Sequence, residues 1–243
     1  MKHSDLRRFG VIGPAGNMAL EYEFSRHLPP GVAFNHARAS RPGWPALTRE
    51  SLAAMGERAI EAARDLVRTR PEILLYACTS GSFVGQEHDE AALARRIAEA
   101  TGIPAITTST AVLDALKALS ARKVFVVTPY PDDITLSEVE FLELNGIGVA
   151  GWDSFRCTAE RPIGGVDSDD TERLVLGHRD AIAGADAVFV SCTNLLTFDK
   201  IAALESALGV PVVSSNTASL WAVLRGMGIG HASPALGVLG ARG

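Results

Sequence analysis

A ten-residue passage of this chain is written twice. Gly102-Ile-Pro-Ala-Ile-Thr-Thr-Ser-Thr-Ala111 returns 107 residues later as Gly209-Val-Pro-Val-Val-Ser-Ser-Asn-Thr-Ala218. Two further landmarks repeat at nearly the same distance. Val-Ile-Gly-Pro14 is echoed 115 residues on by Val-Val-Thr-Pro129, and Cys78-Thr79 is echoed 114 residues on by Cys192-Thr193. Three landmarks in step point to two copies of one unit of about 110 residues, too long a period for a solenoid.

Within each copy, short apolar runs rich in β-branched residues alternate with helical patterns. Strands are expected over 8–13, 73–78, 103–107, 123–128, 187–192 and 210–214. Near-continuous apolar runs of this kind suit strands covered on both faces. Helices are expected over 49–69, 89–101, 111–120, 135–145, 170–183, 199–208 and 217–227, the one near 135 opening with the capping-box spacing Thr135 to Glu138. Alternation of this kind implies parallel pairing and a layered α/β fold. The expected division is a first lobe of 1–112 with 218–243 and a second lobe of 113–217. Helix 49–69 is read as a cover for the sheet or as the face of a homo-oligomer.

The 243 residues carry 23 Lys and Arg against 28 Asp and Glu, so neither nucleic acid nor an anionic membrane is an expected partner. No apolar run approaches the roughly 20 residues that cross a bilayer, and the N-terminus has no signal-like apolar stretch. A cytoplasmic protein is expected. Three cysteines without C-x-x-C or clustered histidines argue for neither a disulfide framework nor a metal site.

Ligands of parallel sheets bind beyond the carboxyl ends of the strands. Two facing lobes would therefore bring Cys78 and Cys192 into one cleft. The expected helix N-termini favour thiolates and bind carboxylates, so lowered thiol pKa values are anticipated. "CTSGS" and "CTN" offer Thr79, Ser80, Thr193 and Asn194 as hydroxyl, amide and main-chain donors, enough to hold a dicarboxylate without Arg or Lys. Equally, a cysteine ending a buried strand is a common small hydrophobe, and Cys157, unmatched in the other half, is read that way. Asn17 either binds a carboxylate or caps the next helix. Tyr130, in a loop stiffened by Pro129 and Pro131, either donates to substrate or packs over the sheet edge. Asp132 and Asp133 lead into the helix at 135, and the TTST 107–110 and SSNT 214–217 runs are read chiefly as helix caps. His88 is a remote candidate partner for Cys78. Gly10, Gly13 and Gly16 follow GxxGxxG and not the dinucleotide fingerprint.

Two thiols across a small carboxylate suit racemisation, cis–trans isomerisation or malonate decarboxylation, none of which requires a cofactor. A non-catalytic carboxylate-binding protein is the alternative of another class. A nucleotide-binding regulator rests on fold analogy alone.

The tandem lobes, the two Cys-Thr turns, "STAVLDALKAL", "VTPYPDD" and "GVPVVSS" resemble the aspartate/glutamate racemase superfamily. Within it the likeness is to the branch holding maleate cis–trans isomerase and arylmalonate decarboxylase. The resemblance implies two pseudo-symmetric flavodoxin-like lobes with a cofactor-free site between them. In the isomerases, a cysteine matching Cys78 attacks the double bond and one matching Cys192 serves as acid, while residues matching Asn17 and Tyr130 hold substrate. In the decarboxylases, the second cysteine is the proton donor and the first position is glycine. Their carboxylate pocket matches Thr79, Ser80 and Tyr130. Both cysteines here favour isomerase or racemase. Ile163 and Gly164, where the isomerases carry a further asparagine, lean toward the decarboxylase side.

Overall fold

The computed structural model describes residues 5–43, 47–84, 89, 91–230 and 232–242. The first half runs β1 (Arg7–Pro14), α1 (Ala19–His27), β2 (Val32–Ala39), α2 (Arg49–Leu66), β3 (Leu74–Tyr76), α3 (Thr79–Phe83), α4 (Ala92–Thr101) and β4 (Ala105–Thr107). After α5 (Thr108–Ala118) come β5 (Lys123–Thr128), α6 (Asp132–Leu144), β6 (Gly148–Ser154), α7 (Ser168–Gly177), α8 (Arg179–Ile182), β7 (Ala187–Val190), α9 (Ile201–Leu208), β8 (Val212–Ser214) and α10 (Ser215–Gly226). The strands form two parallel four-stranded sheets, ordered β2-β1-β3-β4 and β6-β5-β7-β8. The same order in both halves is the duplication made visible. Helices flank both sheets, as the α/β reading required.

The repeated ten-residue passage has a local physical explanation. Gly102 and Gly209 end α4 and α9 in the left-handed region, at φ 71° and 72°. That region is nearly free for glycine and strained for other residues. The strand follows, and then a capping box: Thr107 with Thr110 starts α5, Ser214 with Thr217 starts α10. The TTST and SSNT runs are thus helix caps, and both helices begin two to three residues earlier than the periodicity suggested.

The central strands are sealed. Leu74, Leu75, Val124, Val126, Val127 and Val188 are fully buried, each side chain contributing roughly 2 kcal/mol of burial. One apolar cluster runs through both lobes, joining Ile12, Leu74 and Tyr76 to Val126, Phe189 and Val213. A second covers the other face of the first sheet, where α1 and α10 set Leu20, Phe24, Leu220, Val223 and Leu224 against Phe9, Val11 and Leu75. α2 buries Leu52, Met55, Ala59 and Ala63, so one face of this helix serves as a cover for the sheet.

Several expectations need correction. The edge strands β2 and β6 and the helices α1 and α3 went unread. The segment expected as one helix over 170–183 breaks at His178 into α7 and α8. The capping box at Thr135 does not exist: α6 starts at Asp132, behind Pro131, and Asp132 and Asp133 are its first turn. Thr135 instead bonds the Thr128 hydroxyl at 2.7 Å, and Glu138 points inward. The glycines of the first strand serve close packing. A Cβ on Gly10 would meet Leu74 Cδ2 at 2.5 Å, and one on Gly13 would meet His36 Nε2 at 2.6 Å.

Candidate active site

Cys78 and Cys192 follow the carboxyl ends of the equivalent strands β3 and β7. Their surroundings are less alike than the sequence suggested. Cys78 is the N-cap of α3, its sulfur accepting from the Gly81 N–H at 3.4 Å, with the Ser80 hydroxyl 3.9 Å away. Gly81 is required there, because a Cβ would stand 3.0 Å from that sulfur and 2.5 Å from the Tyr76 hydroxyl. No helix follows Cys192 directly. Its backbone sits at φ 95°, strained for a side-chain-bearing residue. That twist lets its sulfur accept from the Asn194 N–H at 3.4 Å, while its own N–H donates to Ser215 Oγ at 2.9 Å.

The two thiols lie near the closed interior, 6% and 8% exposed. Burial pushes both thiol pKa values up, that of Cys192 to about 12. The expectation of lowered values is therefore overturned: desolvation of the anion outweighs the main-chain donors. The donors still act in the expected direction. Gly81, Ser80, the Tyr76 hydroxyl and the Arg41 cation ease the Cys78 thiolate, in that order. The Asn194 N–H and the Tyr130 hydroxyl ease that of Cys192. A negative charge on Cys78 disfavours one on Cys192, so the sulfurs are within electrostatic reach of each other.

Tyr130 is in electrostatic contact with both sulfurs. It is buried, and its ionisation is opposed by charge on Cys192, Glu138 and Cys78. The Thr128 hydroxyl accepts from its N–H, and Ser154 Oγ donates to its carbonyl, holding the Pro-Tyr-Pro loop in place.

The remaining sequence candidates gather here in interlocking roles. Asn17 Nδ2 donates to Thr193 Oγ1 at 2.8 Å, and Thr193 Oγ1 donates to the Ala77 carbonyl at 3.0 Å. Asn17 Oδ1 accepts from the Leu20 N–H at the start of α1. Thr79 Oγ1 donates to Ser215 Oγ at 2.8 Å, which links the first Cys-Thr turn to the backbone of the second cysteine. Asn194 Oδ1 accepts from the Met18 and Ala19 N–H groups, capping α1 from the opposite lobe. These side chains stitch the two halves together around the two cysteines. The 163–165 turn lies beside them: a Cβ on Gly164 would be 3.6 Å from Asn194 Nδ2. Cys157 is half-buried and packs against the main apolar cluster. His88 and, within the 42–47 wall, Trp44, Pro45 and Ala46 lie outside the described residues.

Three contributors were missed. Arg41, after β2, is half-buried, bonds Ser51 Oγ at 3.3 Å and is in electrostatic contact with Cys78. Glu23 on α1 is buried and receives the Thr197 N–H at 2.5 Å, the Phe198 N–H at 2.8 Å and Asn216 Nδ2 at 2.6 Å. Asn216 Nδ2 also reaches the Thr193 carbonyl at 3.2 Å, so this pair staples the loop after Cys192 to the first lobe. Glu138 on α6 is buried and receives Ser191 Oγ at 2.7 Å. The partners of Glu23 and Glu138 lie 53 to 193 residues away, and only the strand order, invisible locally, brings them together. The Ser215 contact had a signal, the repeated SSNT run.

Among the described residues no group of His, Cys, Asp and Glu is placed to hold a metal ion, and no helix is long and apolar enough to cross a membrane.

A duplicated α/β fold presenting one cysteine from each half, with buried hydroxyls and main-chain donors around them, has the layout of a cysteine-dependent enzyme of small molecules. The sequence pattern of the arylmalonate decarboxylase family matches residues 11–239, and the chain belongs to that family. It is 36% identical to arylmalonate decarboxylase of Bordetella bronchiseptica, over 98% of both chains. It is 29% identical to maleate isomerase of Nocardia farcinica, over 96% of this chain and 95% of that one. In fold it is similar to a cysteine-to-serine mutant of the Nocardia farcinica maleate cis-trans isomerase, solved with a covalently bound succinylcysteine intermediate. That likeness has a TM-score of 0.88 at 24% identity, covering 98% of this chain and 99% of that one.

Proposed function

We propose that this enzyme is a cofactor-independent isomerase of a small dicarboxylate, with maleate-type cis–trans isomerisation as its specific form. The observation that carries the reading is the pair of thiols, one from each lobe, in electrostatic contact with each other and with a shared tyrosine. Cys78 is the nucleophile. Among the described residues it has the larger set of groups easing its anion, the Arg41 cation among them. Its thiolate adds to one alkene carbon, the C–C bond rotates, and elimination returns the other isomer. Cys192, pushed up to about 12, remains a thiol at neutral pH and is the acid that protonates the neighbouring carbon and takes that proton back. Ser80 and the Nδ2 groups of Asn17 and Asn194 offer hydrogens to a substrate carboxylate, while Thr79 and Thr193, whose hydroxyl hydrogens go to Ser215 and Ala77, hold the two Cys-Thr turns in place, and Arg41 pairs with the charge of a dicarboxylate.

A second reading is decarboxylation of an aryl malonate, with Cys192 alone as proton donor. It is favoured by the higher identity to the decarboxylase relative, 36% against 29%. The Ile163-Gly164 turn beside Asn194 also supports it, offering no side-chain donor to a second carboxylate.

Proton NMR of the enzyme with maleate, and separately with phenylmalonate, in deuterated water separates the two. The isomerase reading predicts fumarate from maleate, lost in Cys78→Ala and in Cys192→Ala. Turnover of phenylmalonate that survives Cys78→Ala, with no fumarate from maleate, makes the enzyme a decarboxylase instead.

A further inference from the structure

Ser191 has one hydroxyl hydrogen and two acceptors. Its oxygen lies 2.7 Å from Glu138 Oε1 and 3.5 Å from the Tyr130 hydroxyl. The Tyr130 hydroxyl in turn eases the anion of Cys192, the residue that follows Ser191. Glu138 is 1% exposed, and its second oxygen, Oε2, has no hydrogen-bond partner among the described residues. A carboxylate with an orphaned oxygen in a packed interior is costly, whereas the lone carbonyl oxygen of a neutral acid is much less so.

We propose that Glu138, Ser191 and Tyr130 form a buried proton relay that ends on the Cys192 sulfur, with Glu138 as its proton-holding end. With Glu138 protonated, the conflict at Ser191 disappears. The carboxyl O–H donates to Ser191, the Ser191 O–H to Tyr130, and the Tyr130 O–H to the sulfur, so every donor points toward the thiol. With Glu138 ionised, Ser191 turns its hydrogen to the carboxylate and Tyr130 loses its donor. Burial places the Glu138 carboxyl at about 8, and the acid form prevails at neutral pH.

The inference rests on the proposed role of Cys192 as acid, and it supplies what that role lacks. When Cys192 gives its proton to the substrate carbon, it becomes a buried thiolate. Three protons then move one place each: Tyr130 to sulfur, Ser191 to Tyr130, Glu138 to Ser191. Cys192 is again a thiol and the charge rests on the Glu138 carboxylate. When the double bond re-forms, the hops reverse, the sulfur recovers the proton from carbon, and no proton is gained or lost. Among the described residues, the ionisable groups in electrostatic contact with this relay are Tyr130, Cys192 and, beyond them, Cys78, and from α2 the Arg49 cation bonds Ser137 Oγ, next to Glu138, at 2.6 Å. α3, packed on α6, brings none, and the only one on β6, Asp153, is turned to His178 and Arg156.

The test uses the full chain without substrate, so it can fail while the reaction assignment stands, and hold where that assignment fails. In carbon-13 NMR of protein labelled at glutamate carboxyls, one resonance is expected to titrate near pH 8 and to vanish in Glu138→Gln. A second, near pH 7, belongs to Glu23 and vanishes in Glu23→Gln. Ser191→Ala, which keeps the acid but removes the bond that favours its anion, moves the Glu138 midpoint further up and identifies it even if the glutamine variant does not fold. With Cys192 left as the sole thiol, its alkylation rate should rise less steeply across that midpoint. Above it, the rate should fall roughly tenfold below that of the Glu138→Gln form. A Glu138 carboxyl titrating in the ordinary range, or alkylation profiles that superimpose with and without Glu138, would overturn the relay.

Discussion

The buried carboxyl of Glu23 makes the stability of this protein depend on pH in a direction opposite to that of a salt-bridged acid. Glu23 is 3% exposed, and burial raises its pKa from 4.5 to about 7 despite three donors that favour the anion. Because the folded value lies above the unfolded one, the stabilisation is fully present below pH 4.5 and is lost as pH rises through 7. A carboxyl moved that far corresponds to about 3 kcal/mol. In Glu23→Gln the side chain stays neutral and keeps an oxygen for the Thr197 and Phe198 N–H groups. Urea unfolding at a series of pH values from about 4.5 to 8.5 measures the effect, with equal slopes showing that the unfolded reference is unchanged. Between these limits the wild type should lose about 3 kcal/mol more than the variant. Contributions of other groups cancel in the subtraction. Parallel curves would refute the assignment of a protonated, interior Glu23.

The positive φ of Cys192 predicts an inverted Gly–Ala comparison: Cys192→Gly should be about 1 kcal/mol more stable than Cys192→Ala by thermal or urea unfolding, the reverse of the usual order. Both should be inactive, so the strain is carried for the thiol. Arg41→Gln should slow alkylation of Cys78 at every pH below that thiol's own pKa, because the guanidinium eases the Cys78 anion. An unchanged rate would place the cation out of contact with the sulfur.

The duplication made the architecture legible, because glycine C-caps, capping boxes and apolar central strands are local chemistry repeated in step. What escaped notice was whatever depends on distant partners. β2 reads Val-Ala-Phe-Asn-His-Ala-Arg-Ala, and as an edge strand only half covered it lacks the unbroken apolar run of its neighbours. β6 carries Gly148 and Gly151 and a register shift against β5 where Gly151 opposes Phe125. Glu23 and Glu138 sit on amphipathic helices, where a carboxylate ordinarily marks the wet face. The cysteines stood out because their turns repeat, yet their pKa direction was misjudged. Proximity to donors shows along the chain, but the depth of burial that outweighs it does not.

The central claim is that a sulfur from each lobe acts on the same molecule, and it is tested most directly by trapping the bond to the first. In Cys192→Ser the nucleophile is intact and the acid is crippled. After incubation with maleate and acid quenching, peptide mass spectrometry should find one dicarboxylate added to Cys78, with none on Cys157. Absence of that adduct under conditions where the wild type turns maleate over, or an adduct on Cys157 in its place, would contradict the account.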